Sequence, residues 1–266
     1  MDSLNIDEVM ALQMLGLPIK MIREMDLASF DCIYNEHPEL EELIDTANHI
    51  LDCQEQQGIV SISCQDAFFP RRLLEIGDDC PSVIHCKGNL ALFKEDKAAA
   101  IIGARSADKE GIAKAYDLAS QYSHDGYVIV SGLAYGCDTA AHIGCLDEGG
   151  ETIAIVGNSL DICHPRGNKA LEERILSNGG MMMSECAIRV KANPTRLVAR
   201  SRLQAALSEI VILAQCPSKS GSLHTMSFAR QYGKKCYAAT FLNRTEANAG
   251  NYDLLDRGLC RALPEG

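Results

Sequence analysis

Ala98-Ala99-Ala100-Ile101-Ile102 runs directly into Gly103-Ala104-Arg105-Ser106-Ala107-Asp108. Five consecutive apolar residues are too few for a helix. The run stops at a glycine and a polar turn, the pattern of a strand buried on both faces. Comparable runs recur at 127–130, 152–156, 181–183, 210–214 and 236–240, separated by stretches long enough for helices. Strands alternating with helices imply right-handed crossovers and an α/β fold, a doubly wound, mostly parallel sheet of the Rossmann-like kind. In such a sheet a ligand lies beyond the carboxyl ends of the strands, where the strand order reverses. The polar residues that follow each strand are therefore the site candidates.

Four of these junctions are rich in glycine. After the first strand, Gly103 lets the backbone approach a ligand and Arg105 offers a fork that matches phosphate oxygens. A helix beginning near Ser106 or Asp108 would add free N–H groups for an anion. The second strand is followed by Ser131-Gly132-Leu133-Ala134-Tyr135-Gly136-Cys137-Asp138, and the third by Gly157-Asn158 and then His164-Pro165-Arg166-Gly167-Asn168-Lys169. The fifth is followed by Lys219-Ser220-Gly221-Ser222. A single glycine turn carries little weight, but four on one sheet edge, two beside a cation, point to a phosphate-bearing ligand. None matches GxGxxG or GxxxxGK[ST], so a dinucleotide or P-loop nucleotide is disfavoured and no cofactor is expected.

Asp138 and His142 are four apart and share a helical face. They fit either an acid–base or metal pair, or a helix cap beside a packed histidine. The second reading is preferred because no third ligand or nucleophile has a place near them. Arg200 and Arg202 are two apart, so on a helix they point roughly 200° from one another and should do different work. One would face the ligand, and the other would tie loops or a neighbouring subunit.

The chain has 266 residues, 47% of them hydrophobic, no Trp and a net charge of −11. That charge is unevenly spread. Residues 1–94 carry −11 and 95–163 carry −7, whereas 164–235 carry +8, a local field able to attract a polyanion. The twelve cysteines include no CxxC pair and no zinc-site spacing, so they read as reduced thiols in a cytoplasmic protein, with no metal expected. The start lacks a signal-peptide pattern, and no long apolar run suggests a membrane span. Residues 1–55 read as a small acidic helical domain, with apolar spacing at 4–15, 19–27 and 40–51. Residues 56–97 read as a connector packed on the α/β domain, with one strand near Ile59–Ile62, and residues 98–266 read as the Rossmann-like domain.

The motifs occur in a characteristic order: GARSA, SGLAxGxDxxAH, GGxTIAIVGxSLD, HPxxNxxL, the pair Ser184-Glu185, RxRLxxALS and KSGSLxTxxxA. From about Phe69 to Phe241 this order resembles the DprA/Smf family of DNA-processing proteins. The resemblance implies an extended Rossmann fold, a homodimer, and a basic pocket for single-stranded DNA. It also implies transfer of that DNA to a RecA-type recombinase during natural transformation, by a protein that is not an enzyme. Position by position, Arg105 matches the arginine of the family's G-x-R motif, and Ser131, Gly132 and Gly136 match its SGxAxGxD loop. His164 stands where the family has Tyr or Phe, followed by matching Pro165 and Asn168. Arg200 and Arg202 match the outer residues of RNR, and Lys219, Ser220 and Gly221 match KSGS. With Gly103, Ser106 and Lys169 from the junctions, these are the candidate DNA contacts.

Ser201 replaces the central Asn of RNR, Ala206 replaces the usual Gly of GLS, and Leu197 stands where an aromatic or proline is common. The sequence stops soon after the Rossmann-like region, so no C-terminal winged helix is expected. Two other readings remain open. One is a nucleoside-monophosphate phosphoribohydrolase of the lysine-decarboxylase-like family, although its PGGxGTxxE motif is matched here only by Ser220-Gly221-Ser222-Leu223-His224-Thr225-Met226, with no acid. The other is a non-enzymatic adaptor that binds proteins through its acidic surface.

Overall fold

The computed structural model describes residues 3–263. The acidic amino-terminal segment forms four helices: α1 (Ile6–Leu15), α2 (Ile19–Glu24), α3 (Leu27–Glu36) and α4 (Leu40–Glu55). Apolar spacing alone runs from Ile19 to Leu27, yet the chain breaks there. The Asp26 side chain accepts the Ser29 N–H at 2.8 Å and starts a new helix. These helices bury Val9, Leu12, Ile22 and Leu40 together with Val83 of the neighbouring sheet. Gln65 stitches the two parts, donating to the carbonyls of Ile22 (2.6 Å) and Met25 (3.0 Å).

The segment expected to be a connector supplies two strands, β1 (Val60–Ser63) and β2 (Val83–Gly88), with the short helix α5 (Arg71–Leu74) between them. They belong to the main sheet and do not merely pack on it, because β2 pairs antiparallel with a strand of the α/β region. The remaining chain alternates as the apolar runs predict: β3 (Ala98–Ile102), α6 (Lys109–His124), β4 (Val128–Ser131), α7 (Cys137–Asp147), β5 (Thr152–Ile155), α8 (Lys169–Ser177) and β6 (Met181–Ser184). It continues with α9 (Pro194–Ala199), α10 (Ser201–Leu207), β7 (Ile210–Leu213), α11 (Ser222–Gln231), β8 (Lys235–Ala238), α12 (Ala249–Asp256) and β9 (Arg261–Ala262).

The strands form one sheet in the order β1-β2-β6-β5-β4-β3-β7-β8-β9, parallel from β6 to β9. Successive side chains of a strand point to opposite faces, and this divides the core. Ala99, Ile101, Ile129, Ile210 and Ile212 pack on α6 and α7. Ala98, Ala100, Ile102, Val130 and Val211 pack on the opposite face with α10, α11 and α12. The chain leaves β3 through β4, β5 and β6 on one side and returns to β7 on the other. The order therefore reverses between β3 and β7, and a crevice opens beyond their carboxyl ends. Among the described residues, no helix is long and apolar enough to cross a membrane.

Candidate nucleic-acid interface

At that crevice the loop after β3 is tied to the end of β7, with the Ala104 N–H donating to the Gln215 carbonyl at 2.8 Å. Gln215 also exchanges two bonds with Asp108: the Asp108 N–H donates to Gln215 Oε1 (3.0 Å), and Gln215 Nε2 donates to Asp108 Oδ1 (2.9 Å). Asp108 Oδ1 additionally accepts the Gly111 N–H at 2.9 Å, so α6 is capped by its own carboxylate. The expectation of a free α6 terminus for an anion fails for this reason. α11 is different. The cap residue Gly221 has no side chain to offer, the Ser222 N–H meets the Ser220 hydroxyl at 3.3 Å, and Ser220, Gly221 and Ser222 all line a cleft of about 420 Å³. A ten-residue helix thus presents its positive end to the cleft.

The other walls are Gly103 to Ser106, Asp138, Leu197, Arg200, Gln204, Lys219 and Thr225. Arg105, Ser106 and Lys219 are exposed, whereas Arg200 is 8% exposed and forms the floor. Arg200 Nη1 donates to the Ile155 carbonyl at 2.8 Å, and Nη2 lies 3.6 Å from Asp138 Oδ2. Its Nε has no partner. With its amide oxygen turned towards Gly132, Gln204 accepts from the Gly132 N–H (3.1 Å) and from Arg200 Nη1 (2.6 Å). Burial pushes the Asp138 carboxyl up and the Arg200 guanidinium down, each against the pull of the other. Burial thus works against both charges, and the attraction between them offsets part of it. Arg105 offsets part of the rise at Asp138 and further lowers Arg200.

Beyond Arg200 the cleft continues into a second lobe of about 140 Å³, bordered by Tyr135, Val156, Gly157, Asn158, His164 and Pro165. Arg105, Ala134, Leu197 and Arg200 line both lobes. Tyr135 is 50% exposed and His164 is also exposed, so two planar rings flank the cations. The glycines here make room for a side chain in one case and for backbone in the other. A Cβ at Gly132 would lie 1.5 Å from Arg200 Nη1, and one at Gly136 (φ +75°) would lie 2.4 Å from the Ala104 carbonyl. A cationic floor, a helix N-terminus and planar flanks on one shallow cleft suit a chain of phosphates and bases.

Residues 60–264 match the DNA recombination-mediator protein A family. This chain belongs to that family. It is 39% identical over 185 residues to the DNA processing protein DprA of Streptococcus pneumoniae strain R6, covering 70% of this chain and 64% of the relative. It is 30% identical over 211 residues to Protein Smf of Synechocystis, covering 76% of this chain and 52% of that relative. The chain thus spans between half and two thirds of the length of these two relatives. The crystallographic structure of DprA from Streptococcus pneumoniae aligns over 100% of this chain and 96% of its own, with a TM-score of 0.81 and 28% identity. A structure of DNA processing protein A from Helicobacter pylori, described for its single-stranded DNA binding mode, aligns over 78% of this chain and 91% of its own, with a TM-score of 0.70 and 28% identity.

In this DprA-family chain the cleft brings together Gly103, Arg105, Ser106, Gly132, His164, Arg200, Lys219, Ser220 and Gly221. Five other residues expected as contacts line neither lobe. Ser131 is buried and donates to the Ile101 carbonyl at 2.7 Å. Gly136 supports the β3 loop, as its closeness to Ala104 shows. Asn168 is buried and donates to the Leu133 carbonyl at 2.7 Å. Lys169 pairs with Glu172 at 2.8 Å. Arg202 holds Glu185 through both Nη atoms and the Asp79 carbonyl through Nε at 2.7 Å. The two arginines thus divide as their spacing suggests, with Arg200 at the cleft and Arg202 tying loops.

Asp138 does not cap α7, since Gly136 is the capping position; it lies in the first turn against Arg200. His142 is wholly buried, bonded to Thr152 and to the Leu133 N–H. No group of His, Cys, Asp and Glu suited to a metal occurs among the described residues. Gln204 and Tyr135 were not singled out from sequence. Gln204 lies four residues after Arg200, a spacing that could have found it. The twelve cysteines are unpaired, and burial pushes the Cys137 and Cys216 thiols up to about 12.

Proposed function

We propose that this protein binds single-stranded DNA without sequence preference in the β3/β7 cleft and delivers it to a RecA-type recombinase, as a homodimer in the cytoplasm and without a cofactor. The observation that carries this reading is the convergence of Arg105, Arg200, Lys219 and the α11 N-terminus on one cleft flanked by Tyr135 and His164. Phosphates would lie against the cations and the helix end, while bases stack on the planar side chains. Ser131, Gly136, Asn168, Lys169 and Arg202 act on the walls or elsewhere. The likeness to the Helicobacter pylori protein supports the same ligand. Fluorescence anisotropy with labelled oligo-dT tests the proposal: tight binding at low salt that weakens steeply as salt rises, and weaker binding of duplex, are expected. No binding of oligo-dT at low salt would overturn it.

The phosphoribohydrolase reading finds no acid after Ser220-Gly221-Ser222, and the nearest carboxylate in the cleft, Asp138, is engaged with Arg200.

A further inference from the structure

Leu133 has φ +57°, a left-handed backbone conformation that a residue bearing a Cβ rarely adopts. It is buried behind the cleft, between Gly132 and Ala134, which line it. Such strain persists where the surroundings hold it in place, and here they can be followed bond by bond. The Thr152 hydroxyl donates to the Ile129 carbonyl at 2.6 Å, so its oxygen is left to accept from His142 Nδ1 at 2.8 Å. That places the ring proton on Nδ1 and leaves Nε2 bare, and Nε2 accepts the Leu133 N–H at 3.3 Å. On the other side, Asn168 Nδ2 donates to the Leu133 carbonyl at 2.7 Å and to Thr139 Oγ1 at 2.8 Å. The Thr139 hydroxyl in turn donates to the Ala134 carbonyl at 2.7 Å, and the Ala134 N–H donates to Asp138 Oδ2 at 3.4 Å.

All four backbone polar groups of Leu133 and Ala134 therefore meet side chains, three of the four from α7, and the Ala134 carbonyl also accepts the Thr139 N–H at 3.0 Å. The Leu133 side chain is sealed into the core beside Leu146, Val156 and Leu160. Neither His142 nor Asn168 lines the cleft.

We propose that His142 and Asn168 are positioning residues: through Leu133 they hold the Gly132–Tyr135 wall in the one conformation that receives single-stranded nucleic acid. This rests on the binding reading above. Without the clamp the loop relaxes towards ordinary backbone angles, and only a fraction of molecules presents the receptive wall. Apparent affinity then falls by that fraction.

The test compares wild type, His142→Ala, His142→Gln and Asn168→Ala in oligo-dT anisotropy titrations over a range of salt, at a temperature where circular dichroism shows each variant folded. His142→Ala and Asn168→Ala are expected to bind about tenfold more weakly, the scale of one lost buried hydrogen bond. Their slopes of log affinity against log salt should match wild type, because no phosphate contact is removed. In His142→Gln the side-chain oxygen can still accept the Leu133 N–H, so most of the affinity should return. Amide exchange should quicken at Leu133 to Tyr135 while the sheet keeps its protection, which a general loss of stability would not produce. Where His142→Ala does not fold, Asn168→Ala and His142→Gln decide the matter. Unchanged affinity, a shallower salt slope or no recovery with Gln would overturn the proposal. Failure of the wild type itself to bind would instead overturn the reading of the cleft.

Discussion

At the residue scale, the two cleft arginines and the arginine behind them should respond differently to truncation. Arg105 is exposed and Arg200 forms the buried floor. Arg105→Ala should leave the melting temperature unchanged and weaken oligo-dT binding, with a salt slope shallower by about 0.7, the value for one phosphate contact on a single strand. Titrations at several salt concentrations measure both quantities. Arg202→Ala should do the opposite. It strands Glu185 in a partly buried position and costs about 2 kcal/mol in urea unfolding, with the salt slope retained. Gly132→Ala belongs with neither. Its methyl would collide with the Arg200 guanidinium, so thermal unfolding should show a loss of about 1–3 kcal/mol accompanied by weaker binding.

At the scale of elements, the cleft exists because two strands with helices on opposite faces are held together at their carboxyl ends. Asp108 and Gln215 make that link, joining the start of α6 to the end of β7. Asp108→Ala removes a helix cap and leaves Gln215 Nε2 without its acceptor, while the N–H at position 108 can still reach Gln215 Oε1. We expect a loss of about 1–2 kcal/mol in denaturant unfolding. A fully stable Asp108→Ala variant would show that the backbone N–H groups of positions 104 and 108, both bonded to Gln215, hold the junction without the carboxylate. β1 and β2 give another lesson at this scale. Their side chains do not display a long apolar run, but β2 covers the edge of β6 that would otherwise be open.

At the scale of the whole molecule, two buried histidines set the acid limit. His85 lies between Gln54 (2.9 Å) and Ser61 (2.8 Å), where the α4 end meets β1 and β2, and burial lowers it to about 4. Burial, with a smaller push from Arg200, lowers His142 to about 3. Both are neutral when folded and take up protons more readily when unfolded, near pH 6.5. Their stabilising contribution is therefore complete above about pH 6.5 and is lost as pH falls towards their folded values. Each should reduce stability by up to about 1.4 kcal/mol per pH unit across that window. Urea unfolding from pH 7 to pH 4.5 should show this decline, and His85→Gln should flatten it. A pH-independent midpoint would contradict the burial of both rings.

The alternation of short apolar runs with helical stretches determined the doubly wound sheet, because burial on both faces writes itself as consecutive apolar residues. Strands β3 to β8 begin and end within two residues of those runs, whereas β1, β2 and β9 match none of them. The Gly-rich junctions of Gly103, Gly132 and Gly221 likewise located the cleft, since the switch point of such a sheet follows from strand order. Tertiary structure decided which polar side chains face that cleft. Arg200 and Arg202 look equivalent in sequence, yet Asp138 and the Ile155 carbonyl draw one to the floor while Glu185 draws the other away. Asn168 and His142 serve a backbone carbonyl and N–H that only the strained turn at Leu133 brings to them. Those partners are distant in sequence, and a single strand of residues carries no local signal of a bond that forms only when the sheet closes around it.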